Sequence, residues 1–189
     1  MNLIVLLGPP AVGKMTVGQA IAQQIEYKLF HNHHSIELAL ELFWHGSPEF
    51  KAINEGIRQL VFETCAKSKN LKGLIFTLVM AFDEQDDWDY IAGIQQQFEA
   101  NDWTIYFVEL YAPLATRLDR NKTPNRLKHK ASKRNLAQSE KGIIQIEKNY
   151  RTTTNEGEFK ADNYIKIDTT DKSAEEVARL IATAFDLNS

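Results

Sequence analysis

The sequence is poor in cysteine and has no long hydrophobic run. Cys65 is the only cysteine among 189 residues, which excludes a disulfide framework and makes the reducing cytoplasm the expected location. No apolar segment approaches the roughly 20 residues that cross a bilayer. The apolar segment from Leu3 has no basic leader before it, which argues against a signal peptide. We therefore expect a cytoplasmic protein with no membrane partner.

Acidic residues are nearly absent from one segment of the chain. Between Arg117 and Arg134 there are four arginines and four lysines but only one acid, Asp119. A basic concentration of this kind is suited to a polyanion. The polar residues 121–140 within and after it contain few core residues, so we expect either a mobile flap over a ligand or a solvated surface excursion.

The remaining composition, 43% hydrophobic and 25% charged, is ordinary for a globular protein, and the length suits a single domain over 1–189. Apolar runs of strand type alternate with segments of helical period. This alternation predicts a three-layer α/β/α fold with a five-stranded parallel sheet. The predicted strands are 3–7, 28–31, 74–79, 104–110 and 164–167.

The first predicted strand runs directly into a glycine-rich loop with the spacing Gly-x4-Gly-Lys, from Gly8 to Lys14. A strand, such a loop and a following helix form the P-loop, whose backbone amides surround phosphates at the positive end of the helix dipole. Lys14 is expected to reach the β- and γ-phosphates. The residues predicted to hold the nucleotide here are Gly8, Ala11, Val12, Gly13, Lys14, Met15 and Thr16.

One residue of this loop departs from the usual pattern. Met15 stands directly after Lys14, where a P-loop normally places a Ser or Thr hydroxyl on Mg²⁺. Thr16 follows one position later and is the candidate metal ligand.

These features resemble the P-loop small-molecule kinases, the group that holds adenylate, shikimate and gluconate kinases. The resemblance rests on residues 8–18, on Asp168-Thr169-Thr170 at the end of the last predicted strand, and on the basic segment. It implies an ATP-dependent phosphotransferase that uses ATP and Mg²⁺. Adenylate kinases also lack a hydroxyl directly after the lysine.

The same resemblance implies roles for four arginines. Arg117 and Arg120 occupy the place of family arginines that lie by the adenine or the phosphates. Residues 121–140 take the place of the lid, in which Arg126 and Arg134 are candidates to neutralise the transferred group. Arginine suits this task because its planar fork binds phosphate at two points. A solvated surface charge is the alternative for each of the four.

Four residues are candidates for the acceptor side. Asp83 follows the third predicted strand, where a carboxylate would face the site and orient or deprotonate an acceptor, although it could instead cap the next helix. Asn32 and His33 stand where shikimate and gluconate kinases place an acid; His33 is a candidate substrate residue or part of a surface histidine cluster. Arg58 resembles the arginine that binds the acceptor carboxylate in shikimate kinase, or is an exposed helix residue.

Together these observations predict transfer of the γ-phosphate of ATP to a small hydroxyl- or phosphate-bearing acceptor. Two alternatives remain open: a polynucleotide kinase acting through the basic segment 117–134, and a regulatory nucleotide-binding ATPase. Nucleic acid is disfavoured because the basic residues are not interleaved with aromatic rings. The acceptor and the oligomeric state are not indicated by the sequence.

Overall fold

The computed structural model describes residues 1–187. Within them, five parallel strands form one sheet in the order β2-β3-β1-β4-β5. The strands are β1 (Asn2–Leu7), β2 (Lys28–His31), β3 (Gly73–Thr77), β4 (Thr104–Tyr111) and β5 (Tyr164–Asp168). The helices are α1 (Lys14–Ile25), α2 (His33–Leu42), α3 (Pro48–Lys67), α4 (Gln85–Glu99), α5 (Leu114–Arg120), α6 (Pro124–His129), α7 (Leu136–Asn149) and α8 (Ala174–Ala184). A 3₁₀ turn (Ala131–Lys133) joins α6 to α7.

The central strand β1 is buried on both faces, which explains its continuous apolar sequence. Alternate residues point to opposite sides. Leu3 and Val5 pack in the core that includes Phe62 of α3, whereas Ile4 packs in the core that includes Ile21 of α1. The prediction of a three-layer α/β/α fold with five parallel strands is confirmed.

The lid segment 121–140 is largely helical in the structure, rather than irregular. It consists of the turn after α5, then α6, the 3₁₀ turn and the beginning of α7. Asn135 caps α7 by accepting a hydrogen bond from the amide of Gln138, at 3.1 Å. Asn125 of α6 donates a hydrogen bond to Gln19 of α1, at 2.9 Å, so the lid lies against α1.

The chain between α7 and β5 covers part of the α3–α4 face of the sheet. Phe159 stacks on Tyr164 with 4.6 Å between ring centroids. Arg151 forms a two-point ion pair with Glu158, each N–O distance being 2.5 Å. Glu109 of β4 is fully buried and accepts a hydrogen bond from the Tyr164 hydroxyl at 2.8 Å. These contacts fix the segment that lies next to Asp83.

In the described part of the chain, residues 1–187, none of the helices combines the length and the apolar character needed to cross a bilayer.

Candidate functional site

The glycine-rich loop leaves β1 at the centre of the sheet, because β1 pairs with β3 on one side and β4 on the other. This carboxyl edge is where open parallel sheets bind their ligands. Gly8, Ala11 and Gly13 have positive φ angles of 130°, 63° and 114°. A Cβ at Gly8 would lie 2.3 Å from the carbonyl oxygen of Leu110, so only glycine fits there.

The loop passes into α1 without a side-chain cap. Gly13 is the N-cap residue, and the first helical bond runs from the amide of Val17 to the carbonyl of Gly13, at 2.9 Å. The amides of Lys14, Met15 and Thr16 therefore have no partner within the helix. Unpaired amides at the positive end of a helix dipole are a favourable place for an anion.

Lys14 folds back over the loop. Its ammonium donates hydrogen bonds to the carbonyls of Gly8, at 2.6 Å, and Pro9, at 2.8 Å. Burial lowers the pKa of Lys14 well below its ordinary value, and the charges of Lys130, Arg126 and Arg117 lower it further. An anion that entered the site would relieve this repulsion among four cations.

A cavity of about 350 Å³ opens in front of the loop. Basic and hydroxyl-bearing side chains line it together with apolar ones, and among residues 1–187 no aspartate or glutamate lines it. The lining side chains with positive charge are Lys14, Arg120, Arg126, Lys130 and Lys172. The lining threonines are Thr16, Thr77, Thr123 and Thr169. The cavity is therefore suited to a polyanion.

Arg120 ties the loop to the end of β5. Its guanidinium donates to the carbonyl of Val12 and the hydroxyl of Thr169, each at 2.9 Å. Further bonds go to the carbonyls of Thr169, at 2.5 Å, and Thr170, at 3.2 Å. Arg120 thus lines the cavity while it holds the loop against the residues that follow β5.

The other three predicted arginines have different surroundings. Arg126 is buried, lines the cavity and donates to the side-chain oxygen of Asn121 at 2.9 Å. Arg117 is 2% exposed and lies behind the cavity wall, where it donates to Glu147 at 2.5 Å. Arg134 is exposed and donates to the carbonyl of Leu127 at 3.2 Å, outside the cavity lining. Of these three arginines, Arg126 is therefore the one that lines the cavity.

Asn32 is next to the cavity because it is hydrogen-bonded to Thr77, which lines it. Thr77 was not predicted from the sequence as a site residue. The amide of Asn32 donates to the hydroxyl of Thr77 at 3.1 Å, and this hydroxyl contacts the Asn32 side-chain oxygen at 3.3 Å. Thr77 ends β3 next to β1 and itself lines the cavity. The apolar sequence of β3 concealed this polar position.

His33 of α2 and Arg58 of α3 lie where these two helices pack against each other, next to Asn32. His33 is buried, and its Nδ1 donates to Glu37 at 2.7 Å. Burial lowers the pKa of His33 to about 4 despite this bond. Arg58 donates to the hydroxyl of Ser35 at 3.1 Å. These two side chains are next to Asn32 in the fold, but neither lines the phosphate cavity.

Asp83 lies apart from the phosphate cavity. It is exposed and accepts a hydrogen bond from the amide of Arg151 at 2.9 Å. It forms part of a separate depression with Glu147 and Tyr150. Asp83 does not cap α4, whose N-cap residue is Glu84. The turn after β3 carries its carboxylate towards the segment that follows α7.

Thr16 is the hydroxyl nearest in sequence to Lys14, and it accepts a hydrogen bond from Asn125 at 3.3 Å. Among the described residues, no cluster of three histidine, cysteine or acidic side chains could hold a metal ion. The cavity chemistry fits Mg²⁺ carried by phosphate oxygens, with Thr16 as a hydroxyl ligand, because Mg²⁺ commonly binds few protein groups in phosphate sites.

Comparison with known proteins agrees with this geometry. No family model matches the chain. A shikimate kinase from Rhodococcus erythropolis is 39% identical over 59 residues, which are 28% of this chain. The match spans about a third, 35%, of the length of that relative.

Solved structures resemble the chain over nearly its whole length. A shikimate kinase from Acinetobacter baumannii in complex with shikimate has a TM-score of 0.58 at 18% identity, covering 98% of this chain and 93% of the other. A gluconokinase from Sinorhizobium meliloti has a TM-score of 0.57 at 14% identity, covering 98% and 91%. The fold is that of the P-loop small-molecule kinases, as the resemblance in the sequence predicted.

Proposed function

We propose that this protein is an ATP-dependent phosphotransferase that acts on a small hydroxyl- or phosphate-bearing acceptor. The observation that carries the proposal is the convergence of the loop amides, Lys14, Arg126 and Lys130 on one cavity without a lining carboxylate. Transfer of a phosphoryl group depends mainly on alignment and on cations that stabilise its spread negative charge. The shikimate kinase and gluconokinase relatives support the same activity.

The nucleotide would be ATP, held by its phosphates. The amides of residues 13–16 and the ammonium of Lys14 would bind the β- and γ-phosphates, and Arg120 would shape the wall beyond them. Thr16 would hold Mg²⁺ through its hydroxyl, and the metal would supply positive charge that neutralises part of the phosphate charge. We place the reaction in the cytoplasm and assign all of residues 1–189 to one domain with a lid at about 121–140.

The acceptor would approach from the side of Asn32, which is hydrogen-bonded to the cavity residue Thr77, and would meet His33 and Arg58 on that side. Arg126 is the lid residue best placed to stabilise the transferred group, since it is buried and lines the cavity. Arg134 would reach the phosphates only after a rearrangement of the lid. Arg117, paired with Glu147, would act by fixing α5 against α7.

A nucleic-acid substrate is not favoured, because much of the charge of the segment 117–134 faces inward. Arg117 and Arg126 are buried, and Arg120 is bound to backbone carbonyls. Lys130 lines the phosphate cavity. The positive charge is thus directed at a ligand within the fold.

The test of the proposal is a screen for ADP release. Purified protein would be incubated with ATP and Mg²⁺ and a panel of sugars, shikimate, nucleosides, nucleotides and aminoglycoside-like antibiotics. We expect one compound class to raise ADP release well above the slow hydrolysis without acceptor, with the phosphorylated product found by mass spectrometry. ATP binding without transfer to any member would favour the regulatory ATPase instead.

Asp83→Asn separates a catalytic from a peripheral role for Asp83. The residue is exposed and outside the phosphate cavity, so we expect kcat with the identified acceptor to fall by less than about threefold. Loss of a general base would instead cost about a hundredfold or more. A loss of that size, with an unchanged melting temperature, would restore the role predicted from the sequence. Asp89→Asn, on the exposed face of α4, is the control.

A further inference from the structure

The lid is fastened to α2 through Glu37, a residue with no part in the proposed chemistry. One carboxylate oxygen of Glu37 accepts a hydrogen bond from the amide of Ser132, at 2.9 Å. The other accepts from the hydroxyl of Ser132, at 2.6 Å, and from Nδ1 of His33, at 2.7 Å. Both oxygens are used, and two of the three bonds reach the 3₁₀ turn of the lid.

This turn is bounded by two lysines that are only partly exposed. Lys130 precedes it and lines the phosphate cavity, and Lys133 ends it. Burial lowers the pKa of both, and for Lys130, together with the charges of Arg126 and Lys133, brings it to about 7. The charge of Glu37 opposes this shift at both lysines. Glu37 thus offsets the cost of holding the lysines inside.

We propose that Glu37 is a positioning residue, which holds the lid closed and keeps Lys130 charged in the phosphate cavity. The inference rests on the proposed phosphotransfer. It adds that Glu37 helps to set the affinity for the nucleotide and the rate of turnover. Glu37 accepts two hydrogen bonds from Ser132, which fix both the distance and the orientation of that residue. Because Ser132 is only two residues after Lys130, the same contact determines where Lys130 lies.

The groups that act on Lys130 come from several elements packed around it. Glu37 of α2, Arg126 of α6 and Lys133 of the 3₁₀ turn act on the pKa of Lys130, and the charge of Lys130 in turn lowers the pKa of Lys14 of α1, His31 of β2 and His33 of α2. Burial lowers the pKa of His31 to about 3 and that of His33 to about 4, so both are neutral near pH 7. Glu37 is the acid in this group, and its removal would leave the cations uncompensated.

The first experiment measures the lid itself by hydrogen exchange. In Glu37→Gln we expect the amides of 125–135, that of Ser132 included, to exchange about tenfold faster or more, because charge-assisted bonds are lost. Affinity for the ATP analogue AMP-PNP should fall about tenfold. Ser132→Ala, which keeps the amide bond, should give a smaller effect. Glu41→Gln, on the exposed surface one turn further along α2, should match the wild type.

The second experiment is a pH profile of kcat/KM for ATP with the identified acceptor. In the wild type we expect activity to fall as the pH rises through about 7, as Lys130 loses its proton. In Glu37→Gln this fall should begin at lower pH, and kcat/KM should be about tenfold to a hundredfold lower. Lys130→Arg should remove the fall, because arginine stays charged.

The outcomes distinguish this inference from the proposed function. Wild-type exchange and a wild-type profile in Glu37→Gln would overturn the inference, whether or not transfer occurs. Faster lid exchange and weaker AMP-PNP binding without transfer to any acceptor would support the role of Glu37 at the nucleotide site while the kinase proposal fails. A shifted profile in Glu37→Gln with rescue by Lys130→Arg would support both.

Discussion

Lys14→Met is expected to weaken ATP binding about tenfold to a hundredfold and to lower turnover about a hundredfold to a thousandfold. Methionine keeps most of the apolar stem but removes the ammonium that bonds the carbonyls of Gly8 and Pro9. Loss of the ammonium should reduce turnover more than binding, because negative charge spreads over the transferred phosphoryl group in the transition state. Calorimetry with ATP and initial rates with the identified acceptor measure the two effects.

Lys172→Met is the matched control. Lys172 also lines the cavity, but it is exposed and its ammonium donates to the carbonyl of Asp168 at 2.9 Å. Its removal should change ATP affinity only about threefold, as is usual for a screened surface charge. If the two variants lost equal affinity while both kept the wild-type melting temperature, binding would depend on net charge alone, and the specific role of Lys14 would be wrong.

Gly8→Ala is expected to reduce the free energy of unfolding by about 3–5 kcal/mol. The added methyl would meet the backbone carbonyl of Leu110 at 2.3 Å, and the φ angle of 130° is one that L-residues rarely adopt. Backbone of the adjacent strand β4 cannot move aside without breaking its pairing with β1. Denaturant unfolding followed by circular dichroism gives the loss.

Substitutions at two other glycines separate the steric clash at Gly8 from the strain of its positive φ angle. Gly13 has a φ angle of 114° but free space where a methyl would be added, so Gly13→Ala should show the dihedral strain alone, about 1–3 kcal/mol. Gly56 lies in α3 with neither restriction, and Gly56→Ala should stabilise the protein by about 0.5–1 kcal/mol. A loss in Gly8→Ala no larger than that in Gly13→Ala would show that Leu110 does not restrict the loop.

The sequence was sufficient for the sheet and for the phosphate loop, because both depend on local patterns. A continuous apolar run identified β1, and the spacing of Gly8, Gly13 and Lys14 identified the loop. Ser173 begins α8 as its N-cap residue, and Glu176 three residues later completes a capping box. In each case the residues that form the pattern are the same residues that form the strand, the loop or the helix start.

Contacts between distant segments could not be predicted in this way. The lid helix α7 was missed because its apolar residues are few and its buried positions, Ser139 and Ile143, are not a strong pattern. Glu37 has no signal of its own beyond a histidine four residues before it. Its role depends on Ser132, which the fold brings to it. Asp83 was expected at the site because it follows a strand, but the turn after β3 directs it elsewhere.

The roles of the remaining arginines show the same limit. The family resemblance placed Arg117 by the nucleotide and both Arg126 and Arg134 in the lid. The structure instead separates them into a buried pair partner, a cavity residue and an exposed residue. Lys130 was not singled out, because lysines in a basic polar segment are usually solvated. Its position in the cavity follows from the turn that Glu37 holds.

Backbone amide shifts in a nucleotide titration test the phosphate loop most directly. We expect the amides of Gly13, Lys14, Met15 and Thr16 to shift strongly when ATP or inorganic triphosphate is added, and to remain in place with adenosine. We expect this difference between triphosphate and adenosine because these amides would donate hydrogen bonds to phosphate oxygens and not to the base. Binding of ATP that left these four amides unshifted, while residues elsewhere moved, would contradict the assignment of the loop.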